Sequence, residues 1–164
     1  HLGIDGQTLE IRAIEVTSNA IGDAPMLPQL LAQIPTDEPI ESVSADGAYD
    51  TRDCLDAIAQ RQATAVIPPR KNARYWKKPS AGSQQRNEAV RACQRLGRSI
   101  WKKWSGYHRR SLVETKMHCF KRLGERVMAR TFERQVVELH VRVALLNRFS
   151  QIGRPKTVPV AAVA

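Results

Sequence analysis

The apolar positions of this chain change rhythm several times in the first seventy residues. Leu2 and Ile4 lead into Asp5-Gly6, a dipeptide that favours hairpin turns, after which Leu9, Ile11 and Ala13 alternate with polar residues before Ile14 and Val16. That alternation predicts the end of one strand, a turn and a second strand. Gly22-Asp23-Ala24-Pro25 offers a helix cap with proline near the first turn, and Met26, Leu27, Leu30, Leu31 and Ile34 follow at helical spacing until Pro35 stops them. A loop over 35–39 and a short strand from Ile40 to Ala45 come next, ending at Asp46-Gly47. Asp50 or Thr51 then caps a helix through Arg61 that buries Leu55, Ile58 and Ala59, and Ala63 to Ile67 gives a further strand closed by Pro68-Pro69.

From Arg70 to about Arg98 the rhythm dissolves into Lys, Arg, Gln, Ser, Gly and Pro around Tyr75 and Trp76. Residues 70–98 are therefore expected to form a basic insertion or loop, partly disordered without a ligand. Helical periodicity returns from about Ser111 to Met128 and again from Thr131 to Phe149, through Phe132, Val136, Leu139, Val143 and Leu146. Residues 151–164, rich in Pro, Val and Ala, read as a flexible tail, which leaves residues 1–150 as one domain. The order strand, strand, helix, strand, helix, strand, insertion, helix, helix is that of an α/β fold, with hairpin strands first and crossover strands later.

Charge adds a division that the apolar pattern does not show. The 164 residues carry a net charge of +10, yet residues 1–69 hold 11 acids and 3 bases while residues 70–164 hold 5 acids and 23 bases. Such an asymmetry points to a polyanionic partner for the second half, or else to a solubilising charged surface. No stretch approaches the roughly 20 apolar residues of a membrane span, and no signal region opens the chain, so a cytoplasmic protein without a membrane partner is expected. Cys54, Cys93 and Cys119 are odd in number and far apart, and read as reduced, buried thiols. The four histidines show no metal-ligand spacing.

Two carboxylates stand out by position. Asp46 lies at the end of a predicted strand, where open α/β sheets present functional groups, although an Asp-Gly turn accounts for the same residues. Tyr107, Arg110, Glu114 and Lys121 fall within an arc of about 60° on a helix, with His118 bordering the stripe. Leu112, Val113, Met117, Cys119, Phe120, Leu123 and Val127 project to the far side. One carboxylate is thereby set among a phenol, a guanidinium and an ammonium. The alternative is a solvated face in which an Arg110–Glu114 pair contributes only ~0.2–0.5 kcal/mol.

The spacing Tyr107, two residues, Arg110, three residues, Glu114, six residues, Lys121 matches the Y-x2-R-x3-E-x6-K signature of bacterial insertion-sequence transposases with a DDE active site. Residues 44–51, Ser-Ala-Asp-Gly-Ala-Tyr-Asp-Thr, resemble the segment that holds the second catalytic Asp in the insertion-sequence-5 group. The stretches around Ile67-Pro68-Pro69-Arg70 and Gly106 to Leu112 resemble that group too, and the likeness runs from His1 to about Phe149. It implies a ribonuclease-H-like mixed sheet with flanking helices and a basic insertion before the Glu-bearing helix. It also implies DNA transposition, by metal-dependent strand cleavage and strand transfer at the element's terminal inverted repeats and into target DNA. By resemblance Asp46 and Glu114 are catalytic metal ligands for two Mg²⁺ or Mn²⁺ ions, roughly 3.5–4 Å apart in such sites. Tyr107, Arg110 and Lys121 are DNA contacts. Arg70, Lys71 and Trp104, with Lys77, Lys78, Lys102, Lys103 and Trp76, extend a basic track for the DNA ends. A homodimer of the full-length protein and association with the nucleoid are implied as well.

One departure from the family pattern is expected to matter. Only two strands precede the helix at Asp23, where the fold has three, and Asp5 falls at a hairpin turn rather than within a first strand. The first catalytic Asp is thus expected to lie outside this chain, which begins at His1, making it an N-terminally truncated C-terminal part that is inactive alone. The competing expectations are a non-catalytic basic DNA-binding remnant that competes with or regulates a full-length transposase, and a marginally folded pseudogene product.

Overall fold

The computed structural model describes residues 1–153. Strands β1 (Leu2–Ile4) and β2 (Ile11–Ile14) form the expected antiparallel hairpin, with Leu2 opposite Ile14 and Gly3 opposite Ala13. Its turn is held by the Asp5 carboxylate, which accepts the amide N–H groups of Gln7 at 2.8 Å and Thr8 at 2.6 Å. A 3₁₀ turn over Ala24–Met26 leads into helix α1 (Leu27–Ala32), which buries Leu27, Leu30 and Leu31 and ends before Pro35 as its spacing requires. Strands β3 (Ser42–Ser44) and β4 (Thr64–Val66) pair in parallel across helix α2 (Arg52–Gln60). The N-cap of α2 is Thr51, whose hydroxyl accepts the Cys54 N–H at 3.4 Å.

These elements make a mixed α/β fold, but the four strands do not join. The expected single mixed sheet is realised as two separate pairs, β1 with β2 and β3 with β4. Two apolar clusters follow from that division. Leu27, Leu31, Leu55, Ile58 and Ile67 pack under β3–β4, whereas Ile11, Ile14, Phe120 and Leu146 pack against β1–β2. Ile58 is fully buried in the first cluster, so truncating it to Ala costs about 2–5 kcal/mol.

The second half departs from expectation in three places. Residues 83–96, predicted as part of a loop, form helix α3 (Ser83–Leu96), and helix α4 (Arg98–Trp104) follows. The buried stripe of α3 consists of Ser83, Arg86 and Val90, so two of its three inward positions are polar and hydrophobic periodicity does not reveal it. Gly82 seats the helix, because a Cβ there would stand 2.4 Å from the carbonyl carbon of Leu55. Second, the helix expected to run to Met128 stops earlier, as α5 (Ser111–Arg122), with Gly124 at a φ of +153° just beyond. Third, helix α6 (Phe132–Ile152) runs past Phe149, so the expected tail does not begin at 151. The rest of that tail, residues 154–164, lies outside the described residues.

The α5–α6 connection is closed by polar contacts. The Glu138 carboxylate accepts the N–H groups of Met128 and Ala129 at 2.8 and 3.0 Å and pairs with Arg142, which donates to the Gly124 and Arg126 carbonyls. Lys116 of α5 is buried, and its ammonium donates to Ser150 of α6 at 2.7 Å. Among the described residues no helix is long and apolar enough to cross a membrane.

Candidate functional site

A groove of about 690 Å³ runs between β1 on one side and β3 on the other, with α1 and α5 providing apolar walls. Asp46 stands at its edge, two residues past the end of β3, in the loop that follows a parallel strand. The turn reading of Asp46 is met. Its Oδ1 accepts the Ala48 N–H at 2.8 Å to cap a 3₁₀ turn over Gly47–Tyr49.

The loop that carries Asp46 is braced from behind. Asp50 is buried and receives the Arg86 Nε at 3.0 Å, the Arg86 Nη2 at 3.3 Å and the Arg70 backbone N–H at 2.8 Å. The Arg70 guanidinium also donates to the Ala48 carbonyl at 3.1 Å. Trp76 lies between two guanidinium groups, Arg52 at 4.7 Å and Arg86 at 4.6 Å from its ring centre. Trp76 is therefore part of this brace. Beside Asp46, burial and the nearby Asp23 and Asp46 carboxylates push the Tyr49 phenol up to about 12.

The opposite wall comes from α5 and from Arg110, its N-cap residue. Arg110, Glu114, His118 and Lys121 all line the groove, as their spacing predicts. Glu114 lies in the first turn of the helix and meets Arg110 at 2.7 Å. Tyr107 does not line the groove. It belongs to a 3₁₀ turn (Tyr107–Arg110) that precedes α5, so the single-helix arc does not extend to it. Its ring packs against Trp101 at 6.3 Å and faces Lys102 at 5.1 Å and Arg110 at 5.7 Å. Tyr107 thus touches the groove's lining at Arg110.

The outlying basic residues divide. Arg70 supports the Asp46 loop as described, while Lys71 and Trp104 are exposed and are not among the residues that line the groove. Sequence reasoning also missed four groups at the rim. His1 pairs with Asp23 at 2.8 Å, so Asp23 is a rim carboxylate rather than the side-chain cap that its Gly-Asp-Ala-Pro context predicts. Tyr49 lines the groove next to Asp46, and Arg109 donates to the Gly6 carbonyl at 3.1 Å, tying α5's entry to the hairpin. No local pattern announces these four, because each reaches the site from a different element.

A divalent-metal site of the expected kind needs several acids converging on one point. Asp46 and Glu114 face one groove, but among the described residues no three His, Cys, Asp or Glu side chains are grouped to hold a metal ion. The acids present do not fit a complete two-metal site. What the groove does hold is an acidic edge at Asp46 opposite a basic wall at Arg110 and Lys121, a geometry suited to placing a phosphodiester beside carboxylates. A family model described as transposase DDE domain matches residues 1–148. No solved structure matches the chain.

Proposed function

The chain belongs to the transposase DDE domain family, whose role is DNA transposition, and from that premise we propose that it forms the DNA-holding part of a DDE catalytic domain. The observation that carries this reading is the shared groove, in which Asp46 follows β3 on one side and α5 with its N-cap presents Arg110, Glu114, His118 and Lys121 on the other. Arg110 and Lys121 neutralise the phosphates of an element end, and Tyr107 orients Arg110 by stacking. Asp46 and Glu114 are two of the three acids of the family's site, in a ribonuclease-H-like arrangement related to the insertion-sequence-5 group. Strand cleavage and strand transfer then need a further acid, and the isolated chain binds DNA without cutting it. Its DNA partners are the terminal repeats of the element and the target duplex.

The test places the chain within a complete transposase and measures Mg²⁺-dependent cleavage of the element's ends. Asp46→Asn and Glu114→Gln each lower cleavage by about 100-fold or more while the protein stays folded. Wild-type cleavage by either variant overturns the assignment. The shortage of acids also favours a second reading, a regulatory chain that occupies element ends and competes with the full-length transposase. In a mixture of the two, that reading expects the isolated chain to inhibit cleavage in proportion to its DNA affinity.

A further inference from the structure

Helix α6 is apolar on two opposite faces. Leu139, Val143 and Leu146 turn inward, to the cluster that packs against β1–β2. Val137, Val141, Leu145, Phe149 and Ile152 turn outward, and each is between 48% and 68% exposed. At about 100° per residue these five fall within an arc of about 120°, on the side away from the inward set. Single exposed apolar side chains are ordinary, but an unbroken row along about four turns of one helix marks a surface that something covers.

The row is complementary to itself. Val137, Val141, Leu145 and Phe149 stand four residues apart, which makes a ridge of the kind that interdigitates with its like when two helices pack. A two-fold axis at the level of Val143 sets Val141 against Leu145 of a second copy, and Val137 against its Phe149, with the two helices antiparallel. The same register places the exposed Arg148 opposite Glu138 of the second copy, once on each flank. Glu138 already holds Arg142 and two backbone amides, yet its side chain is 24% exposed and its carboxylate has lone pairs to spare. A parallel pair lacks this match, because it brings Arg134 near Arg134 and Arg148 near Arg148. In the antiparallel pair about six side chains from each copy leave water. That buries roughly 1,000 Å² in total, the lower bound of a specific interface, and sets a micromolar affinity.

We infer that the outer face of α6 is an isologous interface, on which a second copy of this chain docks antiparallel about an axis at Val143 with no DNA between the copies. No residue of α6 lines the groove, so the pairing stands or falls apart from the DNA reading of that site.

The experiment takes the full chain, treated with nuclease and held at about 0.3 M salt so that nucleic acid does not bridge copies. Sedimentation velocity between about 1 and 100 μM then shows monomer passing to dimer. Val141→Glu, at a position outside the core, keeps the helix content and raises the dissociation constant about 100-fold or more, since the pair would bury an unpartnered carboxylate. Leu145→Arg on the same face repeats the loss and guards against a folding defect of the first variant. Arg148→Glu raises the constant about tenfold or more. A short bismaleimide reads the orientation: Val137→Cys with Phe149→Cys in one chain gives covalent dimers, while Val137→Cys alone gives no more than the native cysteines do. A monomer throughout the range overturns the interface, as does a dimer that Val141→Glu and Leu145→Arg both leave intact, or one seen only before nuclease treatment. Covalent dimers of Val137→Cys alone overturn the antiparallel pair. Binding to phosphatidylglycerol vesicles by a chain that stays monomeric, lost in Val141→Glu, gives the face to a lipid surface and overturns the second copy.

Discussion

Arg110 and Glu114 meet at 2.7 Å on the wall of the groove, with the Glu114 side chain 59% exposed. A pair this open to water contributes only ~0.2–0.5 kcal/mol, so Arg110 can exchange its carboxylate partner for a phosphate at small cost. Glu114→Gln releases the guanidinium and removes a negative charge from the groove. The expected outcome is duplex DNA affinity raised about 2–10-fold at low salt, with stability changed by less than about 0.5 kcal/mol. Fluorescence anisotropy and a denaturant melt measure the two effects. Weaker binding by the variant contradicts this account of the pair.

The Asp50–Arg86 pair behaves in the opposite way, because both side chains are buried. Arg86→Met leaves the Asp50 carboxylate without its principal partner and costs about 3–5 kcal/mol. Replacing both, as Asp50→Leu with Arg86→Met, recovers a large part of that loss. Urea unfolding of the single and double variants gives the coupling, and additive losses contradict a buried pair.

Tyr49 reports the position of Asp46. An unfolded phenol ionises near 10 and the folded Tyr49 near 12, so between those values the unfolded state has released its proton while the folded state keeps it. Stability therefore falls as pH rises through that window, and Tyr49→Phe reduces the fall. Asp46→Asn removes one of the two carboxylates that raise the phenol, which lowers its midpoint. Phenolate absorbance titrations of the three proteins check the shift, and an unchanged midpoint in Asp46→Asn contradicts their proximity.

The three tryptophans separate by environment. Trp101 is buried, Trp76 lies between two guanidinium groups, and Trp104 is 77% exposed. Acrylamide quenches Trp104 first, and Trp104→Phe removes most of the quenchable emission with little effect on stability. If Trp104 stacks on DNA ends, duplex binding protects it from the quencher. Unchanged quenching in the complex removes it from the DNA track.

The sequence and the structure agree best where one local signal sufficed. The Asp5-Gly6 turn, the Thr51 cap and the stop at Pro35 each place an element boundary without tertiary help. The groove-lining set Arg110, Glu114 and Lys121 was legible for the same reason, being a spacing along α5 and its N-cap residue. Helix α3 was not legible, because its inward face includes Ser83 and Arg86, and Arg86 is paired in the interior with Asp50, far away in the chain. Tyr107 was misplaced by one assumption, that the helix begins before it. Asp23 and His1 meet only in three dimensions, as does the division of four strands into two open pairs.

The central claim is that the α5 wall of the groove holds DNA phosphates beside the acids, and the salt dependence of duplex binding tests it most directly. With two to four phosphates neutralised, log K falls with log salt at a slope of about −2 to −4, and Arg110→Ala and Lys121→Ala each reduce the slope by about 0.9. Arg134→Ala on α6, which does not line the groove, leaves it unchanged. A slope that none of the groove variants alters, or that Arg134→Ala alters most, contradicts the assignment of this groove to DNA.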